Sequence, residues 1–265
     1  AGNMRSTSNF PGDTTTLAEL GKPSLSNIGV APRVGIALDQ TLFGHSTQGF
    51  RVHLIGTHTP VPVEVGARMT ASVEGQIIDS WQAAADGTID RWVDVPDRLV
   101  QRYTNVVVTV DTSGNMGRCR EFRPITLTIN GSTVVKSTPA QPPLPPGFGS
   151  LPQALMPRIQ VGINLDSFVD TERATNILVG LQRLSVVPLV TTVTPLQEAI
   201  DGDEPAVLVS PDGWSESSIT LPVSSQDERV NLLGFDDNQD QETTLTLDPG
   251  IRFGSLQTFV DGQRS

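Results

Sequence analysis

Between Arg33 and Gly131 the chain breaks into short runs in which apolar and polar side chains alternate, each closed by Gly, Pro, Asp or Asn. Alternate side chains of a strand point to opposite faces, so a period of two gives one buried face and one wet face. A helix cannot use that pattern, because its buried stripe needs spacings of three and four. The runs are RVGIAL (33–38), GFRVHLIG (49–56), PVEVGARMTASVEG (62–75), QIIDSWQ (76–82), TIDRWVDV (88–95), NVVVTVDT (105–112) and PITLTING (124–131). Asp86-Gly87 and Asn130-Gly131 are turn dipeptides of the kind that close hairpins and sheet corners. Seven or more such strands with hardly any helical period predict a mainly β chain, beginning with a jelly-roll β-sandwich over residues 1–137. The polar stretch 1–28 reads as an arm, or as a first edge strand around Thr15–Leu20.

The pattern ends in Thr-Pro-Ala-Gln-Pro-Pro-Leu-Pro-Pro-Gly at 138–147, with five prolines in ten residues. Proline lacks an N–H and locks φ, so this segment predicts an extended linker and a domain boundary. Beyond it the period changes. Arg158–Leu165 is a β-rich run. Asp170 or Thr171 can cap a helix over Glu172–Leu184, where Ala174, Ile177, Leu178, Leu181 and Leu184 recur at helical spacing. Val186–Val193 predicts a second strand, Pro195–Ile200 a short helix and Ala206–Ser210 a third strand. This β-α-β-α-β order implies a parallel sheet. Residues 148–265 are therefore expected to form a smaller, incomplete α/β domain of flavodoxin-like type. Glu216–Pro222, Arg229–Phe235, Glu242–Leu247 and Leu256–Val260 are read as further strands.

The formal charge is −11 with a pI near 4.6. Binding to phosphate backbones needs clustered Lys and Arg, so nucleic acid and anionic membrane surfaces are not expected partners. A neutral polysaccharide or a protein is compatible with this charge. A single cysteine, Cys119, excludes an internal disulfide and reads as a buried thiol. No stretch approaches the roughly 20 apolar residues of a spanning helix. Export and anchoring, where they apply, are expected to rest on segments outside this sequence.

The common catalytic patterns are missing. The turn Asp166-Ser167-Phe168-Val169-Asp170 has no glycine, and neither a dinucleotide fingerprint nor a Walker pattern occurs, so no nucleotide and no cofactor is expected. No nucleophile elbow is present, and Cys119 has no evident histidine partner. His45, His53 and His58 are read as surface residues; His53 and His58 would face opposite sides of one strand, which does not suit zinc. Asp236–Glu242 alternates oxygen ligands, but Leu247 stands where a calcium loop needs its last acid. Among Asp79, Asp86, Asp90, Asp94 and Asp97, the pair Asp90/Asp94 could serve a glycosidase if it faced a cleft, whereas solvated surface acids explain the same residues. The expectation is no catalytic and no metal residue.

The aromatics carry a more specific signal. Sugar rings stack their C–H faces on aromatic planes, flanked by amides, acids and arginines. Asp79-Ser80-Trp81-Gln82 and Asp90-Arg91-Trp92 both offer that chemistry, with two of three tryptophans within twelve positions. Trp81, Trp92, Gln82, Asp79 and Arg91 are therefore the glycan-binding candidates. The alternative is that one or both indoles fill the sandwich core.

The stretch RMTASVEGQIIDSWQAAADGTIDRWVDVPDRLVQRYTNVVVTVDTSGNMGRC resembles the accessory B subunit family of bacterial cellulose synthase. The features that carry the resemblance are Val95-Pro96-Asp97-Arg98-Leu99, Asn105, Gly117 with Cys119, Ile125–Ile129 with Ser132, and Gly149-Ser150-Leu151-Pro152 after the prolines. The match runs over residues 30–210, and the segment after Ser210 departs from the family's pattern. The resemblance implies a non-enzymatic, extracytoplasmic accessory protein, membrane-anchored in its full-length form. Its partners would be a membrane-embedded glycosyltransferase (synthase) subunit and a polysaccharide chain. A pure protein–protein assembly module and, less favoured, a glycoside hydrolase remain as alternatives.

Overall fold

The computed structural model describes residues 10–61, 66–112, 124–210, 214, 219, 221–226, 229–236, 239–246 and 255–259. The chain is mainly β and divides into two compact units, 1–157 with 182–189, and 158–181 with 190–265.

The first unit consists of two facing antiparallel sheets. One contains β1 (Thr14–Thr16), β2 (Ser24–Gly29), β4 (Thr47–His58), β7 (Thr88–Asp94), β9 (Ile125–Asn130) and β10 (Val134–Pro139). In this sheet β9 and β10 run one after the other along the same strand, β4, and β1 and β2 flank them in turn. β7 pairs with β4. The second sheet has the order β3 (Arg33–Asp39), β8 (Tyr103–Thr112), β5 (Ala67–Val73), β6 (Gln76–Gln82).

The period-two reading holds closely here. Phe50, Val52 and Leu54 of β4, Met69, Ala71 and Val73 of β5, and Val106, Val108 and Val110 of β8 all point between the sheets and are buried. Their outward neighbours are mostly polar, with Ile55 and Val107 as the apolar exceptions. Gly56 is needed where β4 passes β9, since a Cβ there would stand 2.1 Å from the Thr128 carbonyl oxygen. β2 and β10 were not foreseen. β2 is an exposed edge strand with little apolar alternation, and the end of β10 lies in residues that read as linker.

The proline-rich segment is strapped to this unit, and the compact unit continues to Pro157 rather than ending near residue 137. Its backbone polar groups find side-chain partners. Gln40 Nε2 donates to the carbonyls of Gln101 (2.9 Å) and Leu144 (3.0 Å), while Gln40 Oε1 accepts from the Thr47 amide at 2.7 Å. Ser46 Oγ accepts from the Leu144 amide and donates to its carbonyl, and the Ala140 amide donates to the Ser46 carbonyl. Proline supplies few N–H groups, so a handful of such bonds satisfies the segment. The strap is invisible to a reading that takes prolines as linker.

In the second unit β11 (Arg158–Ile163) lies between β12 (Val190–Pro195) and β13 (Ala206–Leu208), all parallel. The helix α1 (Phe168–Leu184) follows β11, and α2 (Leu196–Asp201) follows β12. Ala174 and Leu181 form the buried stripe of α1, together with Asp170 in its first turn. The expected β-α-β-α-β order is present. The helix starts four residues earlier than the capping pattern suggested, because Ser167 Oγ, not Asp170 or Thr171, accepts the first-turn amide of Asp170. A separate antiparallel sheet follows: β14 (Val223–Gln226), β15 (Arg229–Asp236) and β16 (Gln239–Thr246). Residues 255–259 are described but form no strand, and most of the strand expected at Glu216–Pro222 lies outside the described residues.

Candidate functional site

The five glycan candidates fall in three places. Trp92 stands on the outer face of the larger sheet, because Ile89 and Val93 of β7 take the inward parity. Register puts it directly opposite His53, and the two rings stack with centroids 4.5 Å apart and planes 7° from parallel. The Arg51 guanidinium carbon and the Lys136 ammonium each lie 5.2 Å from the indole centroid. The His53 Nε2–H donates to Asp90 Oδ1 at 2.6 Å, and Arg51 Nε donates to Asp94 Oδ1 at 2.6 Å. The residue keeps 37% of its surface exposed.

Trp81, Asp79 and Arg91 form a different structure. Trp81 pairs with Met69 and Asp79 with Ala71, whose side chains are fully buried, so both point inward from β6, an outer strand of the smaller sheet. Arg91 reaches them from β7, in the other sheet. Its Nε donates to Asp79 Oδ2 at 2.9 Å and its Nη2 to Oδ1 at 3.2 Å, and its guanidinium lies 5.5 Å from the Trp81 ring. This two-point contact joins the two sheets beside a half-buried indole packed on the core. The Arg91 hydrogen bond holds the Asp79 carboxyl below its usual pKa, assisted by the Ser80 amide, and the same contact raises Arg91. The alternative weighed from sequence thus applies to Trp81, which closes the sandwich, and not to Trp92. Gln82 is exposed at the end of β6, in register with Arg68.

Asp90 and Asp94 share the outer face and flank Trp92, each already bonded to a base. Four residues along a strand separate their Cα atoms by about 13 Å. The histidines do not all lie on the surface: His58 is 4% exposed, faces inward, and its Nδ1 lies 2.8 Å from the Thr59 carbonyl oxygen. His53 and His58 do take opposite faces of β4. Among the described residues no three His, Cys, Asp or Glu gather as metal ligands would, and no helix is long and apolar enough to cross a membrane. Cys119 and Gly117 lie outside the described residues, as do Asp237 and Asn238 of the acid-amide run.

Sequence reasoning missed Arg51, His53 and Lys136 as companions of Trp92. The outward parity of Arg51 and His53 is legible in GFRVHLIG. Nothing local places Lys136 beside them, since it comes from β10, which was not foreseen.

No protein-family model matches the chain, and no curated protein matches it. Among solved structures, a chain titled "Structure of infectious bursal disease virus Gx strain" is similar at 16% identity, with a TM-score of 0.20. The similarity covers 47% of this chain and 39% of that one, so this chain spans well under half the length of the structure it matches.

Proposed function

We propose that this chain is a non-catalytic, extracytoplasmic accessory protein of a polysaccharide (cellulose-like) synthase, which contacts the glycan through its first unit and helps to scaffold a membrane-embedded glycosyltransferase. The first unit is read as a jelly roll and the parallel-sheet unit as flavodoxin-like. The resemblance of residues 30–210 to the cellulose synthase B-subunit family supports the setting.

The single observation that carries glycan contact is Trp92. It is a partly exposed indole on the outer sheet face, with charged and hydroxylated neighbours on the adjoining strands. Trp81, Asp79 and Arg91 leave the proposed surface and become structural. Stacking of one sugar on one ring contributes about 1 kcal/mol beyond area burial, by analogy with aromatic pairs. One platform therefore binds in the millimolar range, which suits a polymer that must slide. Cello-oligosaccharides titrated into the protein should change tryptophan fluorescence, with the change lost in Trp92→Ala and kept in Trp81→Ala. A response indifferent to Trp92→Ala, or no response at all, overturns the reading.

A second reading, a pure assembly module, is favoured by the second unit. There Phe168 is 80% and Val193 55% exposed, and Leu165, Val169 and Val179 also lie open. Apolar surface of that kind marks contact with protein.

A further inference from the structure

The acidity of the chain is not shared between its two units. Residues 1–157 with 182–189 hold 12 acidic and 13 basic residues, a net charge of +1. Residues 158–181 with 190–265 hold 17 acidic and five basic residues, a net charge of −12. The unit read as touching glycan is almost neutral, and the excess of −11 belongs to the other.

The acidic unit also has apolar surface that its own helices leave open. α2 takes one face of the parallel sheet, since a Cβ on Gly162 of β11 would stand 2.6 Å from the Ala199 methyl. Right-handed crossovers put α1 on the opposite face, where Ile159, Val161 and Ile163 are buried. Val193 shares that face through its register with Val161, yet it lies open like most of β12. Where β11 runs into α1, Leu165, Phe168 and Val169 are exposed within five residues, and Phe168 is the most open large apolar side chain described. Helical spacing turns Phe168 and Val169 outward, because Asp170, Ala174 and Leu181 hold the buried stripe of α1.

The charges beside this turn follow the sign of the unit. Asp166 and Glu172 are exposed, and Arg173, the one base between Ile159 and Leu181, lies 3.8 Å from the buried Asp170. Arg158 stands at the other end of β11, about 17 Å from Ile163 along the strand. β12 is uncharged. On α2 and the turn after it, Glu198, Asp201, Asp203 and Glu204 are exposed, with no basic partner among the described residues. An apolar centre with acidic surroundings complements a protein surface that has apolar anchors and a Lys or Arg rim.

Resting on the assembly reading above, and independent of Trp92, we infer that the turn from β11 into α1 docks a basic protein surface. Apolar side chains of that partner meet Leu165, Phe168 and Val169, and its lysines or arginines meet Asp166 and Glu172. The charge of the unit steers the encounter and makes it salt-dependent, while the apolar contact fixes where it ends.

Three amphipathic helical peptides with one leucine pattern, bearing lysine, glutamine or glutamate on the polar face, test this by fluorescence anisotropy on the full chain. The lysine peptide should bind tightest, with an advantage that narrows as salt rises. Phe168→Ser, which changes no charge at an exposed position, should weaken it about tenfold, and Leu165→Ser should act in the same direction. Asp166→Asn combined with Glu172→Gln should weaken the lysine peptide about two- to fivefold and leave the glutamine peptide unchanged. Equal, Phe168-dependent binding of all three peptides overturns the basic-partner inference while the assembly reading stands. Lysine-peptide binding indifferent to both serine variants, or Phe168-dependent binding to phosphatidylcholine vesicles, overturns the inferred docking face. Binding of none of the peptides overturns the assembly reading and this inference together.

Discussion

Replacing Gln40 by leucine tests whether the proline-rich segment is held by the sandwich. Gln40 is 0% exposed and makes three hydrogen bonds, two to carbonyls and one from an amide. Leucine has a similar volume, so the change removes the bonds without leaving a large cavity. The Leu144 carbonyl keeps Ser46 Oγ as a donor and the Gln101 carbonyl keeps Thr104 Oγ1, whereas the Thr47 amide loses the Gln40 partner. A stranded group costs about 1–3 kcal/mol, and a retained but weakened acceptor less. The expected loss is therefore about 2–3 kcal/mol. With a urea m-value of about 2 kcal/mol/M, the denaturation midpoint should fall by about 1–1.5 M, with m unchanged. The same variant should become more open to protease cleavage within 140–157, where the parent resists, because the strap is then held at Leu144 by Ser46 alone. A midpoint shift under about 0.5 M, or easy cleavage of the parent in that segment, refutes the reasoning: the segment would then be the loose linker that its prolines suggest.

The two tryptophans should separate in stability as well as in binding. Trp81→Ala, which empties a half-buried position against the core, should cost about 2–3 kcal/mol, less than the full core range. Trp92→Ala forfeits exposed cation contacts and should cost about 1 kcal/mol; equal losses in urea denaturation would contradict the placement of Trp81 between the sheets. Asp79 has a lowered folded-state pKa, so its contribution to stability is present above the unfolded carboxyl value and is lost as pH falls through the folded value. In Arg91→Gln the largest cause of that lowering disappears, and the decline of unfolding free energy below about pH 4 should become shallower than in the parent. An unchanged acid limb would show that the Arg91 contact does not hold Asp79.

Much of the first unit was legible because its strands obey one rule. With one face on the core, β4, β5 and β8 place mainly apolar residues at every second position, and β7 does so at Ile89 and Val93 with Arg91 between them; that constraint writes the strand into the sequence. The same rule set the direction of Trp92, since Ile89 and Val93 claim the inward parity. It was silent on β6, where Ile77 and Ile78 give neither parity an advantage and a register shift between Ala71 and Ser72 intervenes. Trp81 and Trp92 therefore looked alike in sequence, although one ring closes the sandwich and the other faces solvent. Edge strand β2 left no trace, because an exposed strand needs no apolar period.

The sequence by itself determined the β character of the first unit, the β-α-β-α-β order of the second, and the lack of a phosphate-binding turn. These depend on residue spacing over a few positions, where local sterics and one-sided burial act. Only tertiary structure decided that Lys136, Arg51, His53 and Trp92 meet on one face, that Arg91 joins the two sheets through Asp79, and that the prolines are strapped down by Gln40 and Ser46. Those contacts join residues tens of positions apart. They depend on strand pairing and register, which the folded sheets settle by burying their common core and satisfying backbone polar groups together.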